Sequence, residues 1–296
     1  MASRRSKLLA WVTRRTMKNK LGASGSVPKE RETLDKMSAL MSRRPPGQPA
    51  SINGVSGEWL LPATGDGGRV ILYLHGGGYV LGSPLSHRDM VGSIADAAHA
   101  RAFLADYRLA PEHPFPAAVE DAVAAYRGLL DMGIDPAKLC IAGDSAGGGL
   151  TVATLVAVRD GGLPLPAAGI CISPWADLTC ASNSMTSMAE ADPMLRPDAL
   201  RWMGGLYLNG QDPKAPLASP VYADLKGLPP LLIQVGTEEA LYDDAITLSR
   251  VAHDAGVDAT LEVWEGMMHV WHLMARIVPE GKRAIEAIGA FVVAKT

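Results

Sequence analysis

The chain has few of the features that mark membrane-spanning, disulfide-bonded or metal-binding proteins. Only 3 of its 296 residues are cysteine, and it has no C-x-x-C pair or His/Cys cluster, so neither a disulfide framework nor a metal site is expected. No apolar run approaches the roughly 20 residues that cross a bilayer. The formal net charge of -3 disfavours a nucleic-acid or anionic-membrane role for the chain as a whole. We therefore predict no metal, no organic cofactor, no nucleic-acid partner and no integral membrane segment.

The first twenty residues are unlike the rest, with seven Lys and Arg residues and no acid. Their apolar run, residues 8–12, is shorter than the roughly 7–15 residues of a secretory signal, which predicts a cytoplasmic protein. Leu8, Leu9, Trp11 and Val12 could form one apolar helix face opposite a basic face. That face would contact either a membrane surface or the body of the protein. We favour packing on the body, because a short helix with one apolar face needs a partner.

Short apolar segments alternate with helix-length segments through most of the chain. Strands are predicted at residues 69–74, 101–106, 139–143, 169–173, 231–235 and 260–264, with helices at 84–99, 117–132, 146–160, 240–255 and 280–293. Near-continuous apolar strands separated by helices predict a mostly parallel sheet covered on both faces. Residues 51–62 are expected to add antiparallel strands at one edge.

Two regions interrupt this alternation. They are residues 1–45 and residues 182–220, the latter rich in Met and Pro. Insertions in α/β proteins collect at the carboxyl ends of the strands, where ligands bind. We predict that the two regions form a helical cap, and that residues 46–181 and 221–296 form a single catalytic domain.

The segment Gly143-Asp144-Ser145-Ala146-Gly147 follows an apolar strand and opens a helix of small residues. In this strand–turn–helix setting a G-x-S-x-G sequence presents a serine hydroxyl above the sheet, where it acts as a nucleophile. Ser145 is therefore predicted to be catalytic, with an ordinary glycine turn as the alternative.

Three consecutive glycines follow a predicted strand in His75-Gly76-Gly77-Gly78-Tyr79. Glycines let backbone N–H groups approach a ligand closely, and fixed N–H donors stabilise the oxyanion of acyl transfer. We predict that Gly76, Gly77 and Ala146 donate to this oxyanion. A flexible loop is the alternative, but such a loop upstream of a G-x-S-x-G turn makes both motifs more specific.

A nucleophilic serine needs a base, which in this architecture comes last in the chain. Three histidines follow Ser145. His253 lies in a predicted helix, and His272 is interpreted as a packing residue. His269 lies in the loop between the last strand and the last helix and is predicted to be the base.

The acid that orients the base is expected in residues 236–244. Asp243 and Asp244 have a simpler explanation, because acids in the first turn of a helix interact favourably with its dipole. Glu238 and Glu239 lie closer to the end of the strand. The residues alone leave both glutamates open.

Taken together, these motifs make the chain resemble the bacterial hormone-sensitive-lipase family of α/β-hydrolases. The resemblance runs from about residue 51 to the end of the sequence, on HGGGY (75–79), DYRLAPEHPFPAAVED (106–121), GDSAGGGL (143–150), SPWADL (173–178), residues 218–244 and the HVW after GMM. It implies an α/β-hydrolase fold with Ser145 as nucleophile and His269 as base. The family's acid stands four residues before the first Asp of a D-D or D-E pair. This position is Glu239 here, whereas most members have Asp.

The resemblance implies a serine carboxylesterase that hydrolyses small-molecule esters of short to medium acyl chain through a Ser-His-Glu triad and an acyl-enzyme. It also implies a homodimer formed through edge strand 260–264. Asp144 is expected to orient loops, and Asp106, Arg108 and Glu112 to form buried ion pairs. An amidase or arylformamidase would use the same groups and is the alternative. A non-catalytic ligand-binding protein of this fold is disfavoured, because it would be expected to lack His269.

Overall fold

The computed structural model describes residues 2–16, 18 and 26–296. Their centre is an eight-stranded sheet with the strand order β1-β2-β4-β3-β5-β6-β7-β8. The strands are β1 (Gln48–Ile52), β2 (Val55–Leu60), β3 (Arg69–Leu74), β4 (Ala100–Ala105), β5 (Leu139–Asp144), β6 (Ala168–Ile172), β7 (Leu231–Glu238) and β8 (Ala259–Met268). Strand β2 pairs antiparallel with both β1 and β4. All pairs among β3 to β8 are parallel. The predicted mostly parallel sheet with an antiparallel edge is confirmed.

Helices connect the parallel strands and flank the sheet. They are α1 (Arg4–Thr16), α2 (Val27–Met41), α3 (Pro84–Ala98), α4 (Ala117–Asp131), α5 (Ala146–Asp160), α6 (Ser184–Ser187), α7 (Pro197–Leu208), α8 (Tyr242–Asp254) and α9 (Pro279–Lys295). Helix α3 shows why they begin where they do. Ser83 accepts the N–H of Ser86, and Pro84 supplies a preset φ in the first turn.

Alternate side chains of the central strands enter two separate apolar cores. In β3, Val70 and Leu72 pack in one core, while Ile71 and Tyr73 pack in the other. Successive strand residues point to opposite faces, so both faces of the sheet are buried. The loops at the carboxyl ends of the strands are thus anchored on a sheet that is buried on both faces.

Helices α1, α2, α6 and α7 lie in the two regions predicted as cap, although residues 1, 17 and 19–25 of that prediction lie outside the described residues. Tyr207 of α7 stacks on Tyr79, which follows the three glycines, with ring centroids 3.8 Å apart. In α2, the Arg31 guanidinium donates to the carbonyl oxygen of Val80 at 2.8 Å. Both regions therefore contact the glycine loop, while the domain boundaries stay a prediction.

None of the helices in residues 2–16, 18 and 26–296 combines the length and apolar character that a membrane crossing requires.

Candidate active site

Ser145 occupies a tight turn between β5 and α5. Its φ of 54° is unusual for a residue other than glycine, and its N–H donates to the Ile172 carbonyl oxygen at 2.8 Å. A side chain at Gly147 would collide with the carbonyl oxygen of His75. Glycine at 147 therefore lets the start of α5 approach β3, and the strained turn holds Ser145 above the sheet.

The structure brings together the three residues predicted for catalysis. The Oγ of Ser145 lies 2.9 Å from Nε2 of His269, and Nδ1 of the same ring lies 2.9 Å from Oε2 of Glu239. The exposed fractions of the residues are 7%, 3% and 0%. These contacts form a continuous hydrogen-bonded path from hydroxyl to carboxylate in a water-poor setting.

The second oxygen of Glu239 is also held. It accepts the N–H of Gly236 at 2.7 Å and the hydroxyl of Ser173 at 2.8 Å. The Ser173 hydroxyl in turn accepts the N–H of Val270 at 3.2 Å, directly after His269. Ser173 therefore joins the acid and the base loop. No role was predicted for Ser173 from the sequence, although its place directly after β6, beside the strands that carry Ser145 and Glu239, was a usable signal.

Two opposing effects set the pKa of His269. Burial alone would lower it, but the hydrogen bond and the negative charge of Glu239 raise it, with smaller contributions from Asp192 and Asp144. The net result is a pKa above the ordinary 6.5 of histidine. An imidazole that gains basicity in this way is suited to accept a proton from a serine.

The glycine loop departs from the prediction at one residue. The N–H of Gly76 donates to Oδ1 of Asp144 at 3.1 Å, so this amide is occupied and the prediction that it faces the oxyanion is corrected. Within the described residues, no hydrogen bond takes up the N–H groups of Gly77, Gly78 or Ala146. Gly77 and Gly78 have φ of 121° and 64°, which turns the loop so that successive amides are presented.

Asp144 fastens the loop to the sheet and to α3. Besides Gly76, it accepts the Tyr73 hydroxyl at 2.9 Å and lies 3.3 Å from Nε2 of His87. Burial raises the pKa of Asp144, but the charge of His87 and the hydrogen bonds from His87 and Tyr73 lower it by a larger amount. The pKa of Asp144 is therefore below the ordinary value of an aspartate. The pKa of His87 is raised, because Asp144 outweighs the effect of burial. This buried pair orients the loop, as expected for Asp144.

His75 supports the glycine loop as a neutral side chain. Burial lowers its pKa to about 4. Its ring stacks on Tyr107 with centroids 4.4 Å apart, and its carbonyl oxygen accepts the Tyr107 hydroxyl at 2.6 Å. The loop is thus held at its first residue by packing as well as by hydrogen bonds.

The expected buried ion pairs of the DYRLAPE segment are not buried. Glu112 pairs with Arg31 of α2 at 2.9 Å while its side chain is 49% exposed. Arg108, 42% exposed, pairs with Asp121 at 2.8 Å. The charges of this segment instead tie surface elements together, and Arg31 connects α2 to the loop.

A further buried carboxylate, for which no role was predicted, comes from residues 182–220. Oδ2 of Asp192 accepts the N–H of Ala240 at 2.9 Å, directly after Glu239. Its Oδ1 accepts the N–H groups of Met194 and Leu195 at 2.7 and 2.8 Å. Burial raises the pKa of Asp192, against a smaller lowering by the His269 charge. The only sequence signal was an Asp-Pro pair, which is typical of any turn.

The remaining candidates have structural roles. Oδ2 of Asp244 accepts the N–H groups of Ala176 and Asp177 at 3.0 and 2.9 Å, and burial raises its pKa to about 8. The helix dipole alone is therefore an incomplete explanation of this acid. Nε2 of His272 lies 2.7 Å from Oε1 of Gln234. Burial lowers the pKa of His272 to about 3, which agrees with a packing role.

Comparison with known proteins places this geometry in a family. A family model described as alpha/beta hydrolase fold matches residues 71–273. An acetyl-hydrolase of Streptomyces hygroscopicus is 54% identical over 84% of this chain and 83% of its own length. The crystal structure of EstE5 soaked with p-nitrophenyl butyrate superposes with a TM-score of 0.94 at 48% identity, covering 99% of both chains. An esterase from the bacterial hormone-sensitive lipase family superposes with a TM-score of 0.93 at 47% identity, over 100% of this chain and 99% of that one. The chain therefore belongs to the α/β-hydrolase fold family and is a carboxylesterase of its bacterial hormone-sensitive-lipase type.

Proposed function

We propose that Ser145, His269 and Glu239 are the catalytic triad of this carboxylesterase and that it hydrolyses short- to medium-chain esters through an acyl-enzyme. The observation that carries the proposal is the unbroken path from the Ser145 hydroxyl through His269 to Glu239, with both contacts at 2.9 Å. That path is what nucleophile activation requires.

The reaction proceeds by two acyl transfers. Nε2 of His269 accepts the Ser145 proton while Oγ attacks the ester carbonyl, and the same proton then passes to the departing alcohol. Water attacks the acyl-serine in the second half, with His269 again taking and returning a proton, so that a carboxylic acid leaves and Ser145 is restored. Glu239 accepts the Nδ1–H throughout, which fixes the tautomer and stabilises the imidazolium.

The oxyanion is stabilised by the N–H groups of Gly77, Gly78 and Ala146. Gly77 and Ala146 were predicted from the sequence, and Gly78 replaces Gly76, whose amide is bound to Asp144. Donors fixed before the reaction need no reorganisation when the negative charge develops.

The acyl group binds beside the glycine loop, under α7. A side chain at Gly78 would meet Met203, so this methionine borders the oxyanion loop. Trp175 and Tyr207, both buried, pack in the same core. A flexible methionine wall accommodates varied acyl groups. The Streptomyces relative is an acetyl-hydrolase, which supports a preference of this enzyme for short acyl chains.

The test is a series of p-nitrophenyl esters from acetate to dodecanoate, assayed on the wild type, Ser145→Ala, Glu239→Ala and Glu239→Asp. We expect kcat/KM to be highest for the short esters. Ser145→Ala should lose about 10⁴-fold or more, and Glu239→Ala about 10²- to 10⁴-fold, with partial recovery in Glu239→Asp. Full activity in Ser145→Ala would refute the proposed nucleophile.

Matched p-nitroanilides distinguish an esterase from an amidase. The same triad can cleave amides, so the ratio of ester to anilide hydrolysis decides. We expect a strong preference for the ester, and equal rates would favour the amidase alternative.

Three further proposals accompany this function. Residues 1–45 and 182–220 act as a cap over the ester site, the protein functions in the cytoplasm, and two copies associate through β8. The contacts of α2 and α7 with the glycine loop support the first of these. The edge position of β8 supports the third.

A further inference from the structure

The outer face of α1 carries large apolar side chains that are substantially exposed. Leu8 is 63% exposed, Trp11 51% and Val12 38%. Their spacing of three and four residues places them on one helix face. We propose that this face docks the protein on an anionic phospholipid surface.

The helix packs on the body through Leu9 and Ala10, so only Leu9 of the apolar face expected from the sequence is covered. Its buried residues are Ser6 and Thr13. The Ser6 hydroxyl donates to Glu280 at 2.8 Å, and the N–H of Ser3 donates to the same carboxylate at 2.7 Å. Because Ser6, Leu9, Ala10 and Thr13 face the protein, the side chains of Leu8, Trp11 and Val12 are left facing solvent.

The positive charge of α1 favours an anionic lipid surface as the partner that covers this helix face. Arg4, Arg5, Lys7 and Arg15 are exposed, and α1 contains no acidic residue. The Arg15 guanidinium lies over the Trp11 ring at 3.9 Å, so cation and aromatic ring share one face. A second copy of α1 would bring like charges together. Anionic headgroups would neutralise them while the apolar side chains enter the interface.

The helix is also fastened to the second cap region. Arg14 donates to the carbonyl oxygen of Ala191 at 2.6 Å and also to that of Glu190, and Lys18 donates to that of Ala189 at 2.7 Å. These bonds and those to Glu280 hold α1 at both ends. The exposed face is therefore presented in a fixed orientation, which lowers the entropic cost of docking.

The test is co-sedimentation of the full chain with vesicles of phosphatidylcholine alone or mixed with phosphatidylglycerol. We expect the partition coefficient to be at least about tenfold higher on the mixed vesicles and to fall as salt is added, because the attraction is electrostatic. Equal binding to both vesicles, or no binding to either, would overturn the proposal.

Variants assign the binding to α1. Leu8→Gln combined with Trp11→Gln should lower the partition coefficient about tenfold or more. Arg4→Gln should lower it about fivefold on anionic vesicles. Met132→Gln and Lys138→Gln are the controls, since both residues are exposed and stand before the start of β5, away from the carboxyl ends of the strands, and they should bind as the wild type does.

Thermal unfolding separates docking from folding, because exposed residues should leave Tm unchanged. Loss of binding in the α1 variants with an unchanged Tm supports the proposal. Wild-type binding in those variants refutes it. Absence of vesicle binding together with a light-scattering mass that falls in the Leu8→Gln/Trp11→Gln variant also refutes it and would identify a second copy as the occupant, because association through β8 would not respond to these substitutions.

Discussion

At the scale of single residues, the pKa of His269 predicts the pH dependence of the esterase. In its proposed role as base, His269 must be neutral to accept the Ser145 proton, and its pKa lies above 6.5 because Glu239 outweighs burial. Activity is therefore retained at high pH and lost as pH falls through that raised pKa. We expect the acid limb of the kcat/KM profile to have its midpoint above 6.5, which a pH series measures.

Removing the charge of Glu239 should move that midpoint. In Glu239→Gln the main pKa-raising influence is gone, so burial should shift the acid limb below the wild-type midpoint while kcat falls. His272 cannot supply the limb, because its pKa is held at about 3. An unchanged midpoint in Glu239→Gln would mean that Glu239 does not set the pKa of the group that limits activity at low pH.

Ser173 gives a second prediction at this scale. Its hydroxyl binds both Glu239 and the Val270 N–H, so Ser173→Ala removes one hydrogen bond from a carboxylate and leaves an amide without its partner. A hydrogen bond to a charged group contributes about 1.5–3 kcal/mol. We expect kcat to fall about tenfold or more with little change in KM, since Ser173 positions the acid without touching the substrate.

Steady-state kinetics on the butyrate ester measure this effect. Ser93→Ala is the matched control, because its hydroxyl bonds only to a helix carbonyl at 2.8 Å. If both variants keep wild-type kcat, Ser173 has no role in holding Glu239.

At the scale of elements, the strand–turn–helix around Ser145 was predictable, whereas the loops around it were only partly so. Gly143 and Gly147 lie two residues before and after the serine, so the local sequence is sufficient to predict the turn. The role of the Gly76 amide depends on Asp144, 68 residues away. A contact between side chain and backbone at that separation leaves no periodic pattern, which is why the sequence misassigned one oxyanion donor.

Asp192 shows how residues 182–220 are coupled to the loop that carries Glu239, the proposed acid. Asp192→Ala would leave three backbone N–H groups buried without an acceptor. Each such loss costs about 1–3 kcal/mol. We expect the free energy of unfolding to fall by about 3 kcal/mol or more and kcat/KM to fall as well, with a smaller effect in Asp192→Asn, which keeps one oxygen acceptor.

Chemical denaturation and ester kinetics measure the two effects. Asp198→Ala is the control, because this acid lies on the same region but is 64% exposed and paired with Arg196. Equal losses in the two alanine variants would mean that any acid removed from the region has this effect.

At the scale of the whole molecule, the alternation of strands and helices predicted the sheet, because buried parallel strands read as continuous apolar runs. The orientation of α1 was not predictable in the same way. A helix with apolar and basic faces indicates that one face is covered, but the sequence does not show that Glu280, near the other end of the chain, binds the polar side.

Strand β8 lies at one edge of the sheet, and we expect two copies to associate through it. Its ten residues leave backbone groups that a second β8 could pair with, and Val263 on this strand is 44% exposed. We expect light scattering to give twice the mass of the 31.2 kDa chain, and Val263→Lys to shift the protein toward the monomer. Met132→Lys, at an exposed site after α4, should leave the mass unchanged. A monomeric wild type at the same concentration would contradict pairing.

The bonds of Asp192 also limit how this enzyme can be recombined. Exchanging residues 182–220 for the corresponding segment of a relative is an obvious route to new acyl selectivity. Yet the same segment supplies the acceptor for the amide beside Glu239. A chimera whose donor segment lacks an oxygen acceptor at position 192 would gain a different lining for the acyl group. It would also leave the N–H of Ala240 without its partner and make the loop that carries Glu239 less ordered. Successful grafts should therefore preserve position 192 before any other residue of the exchanged segment.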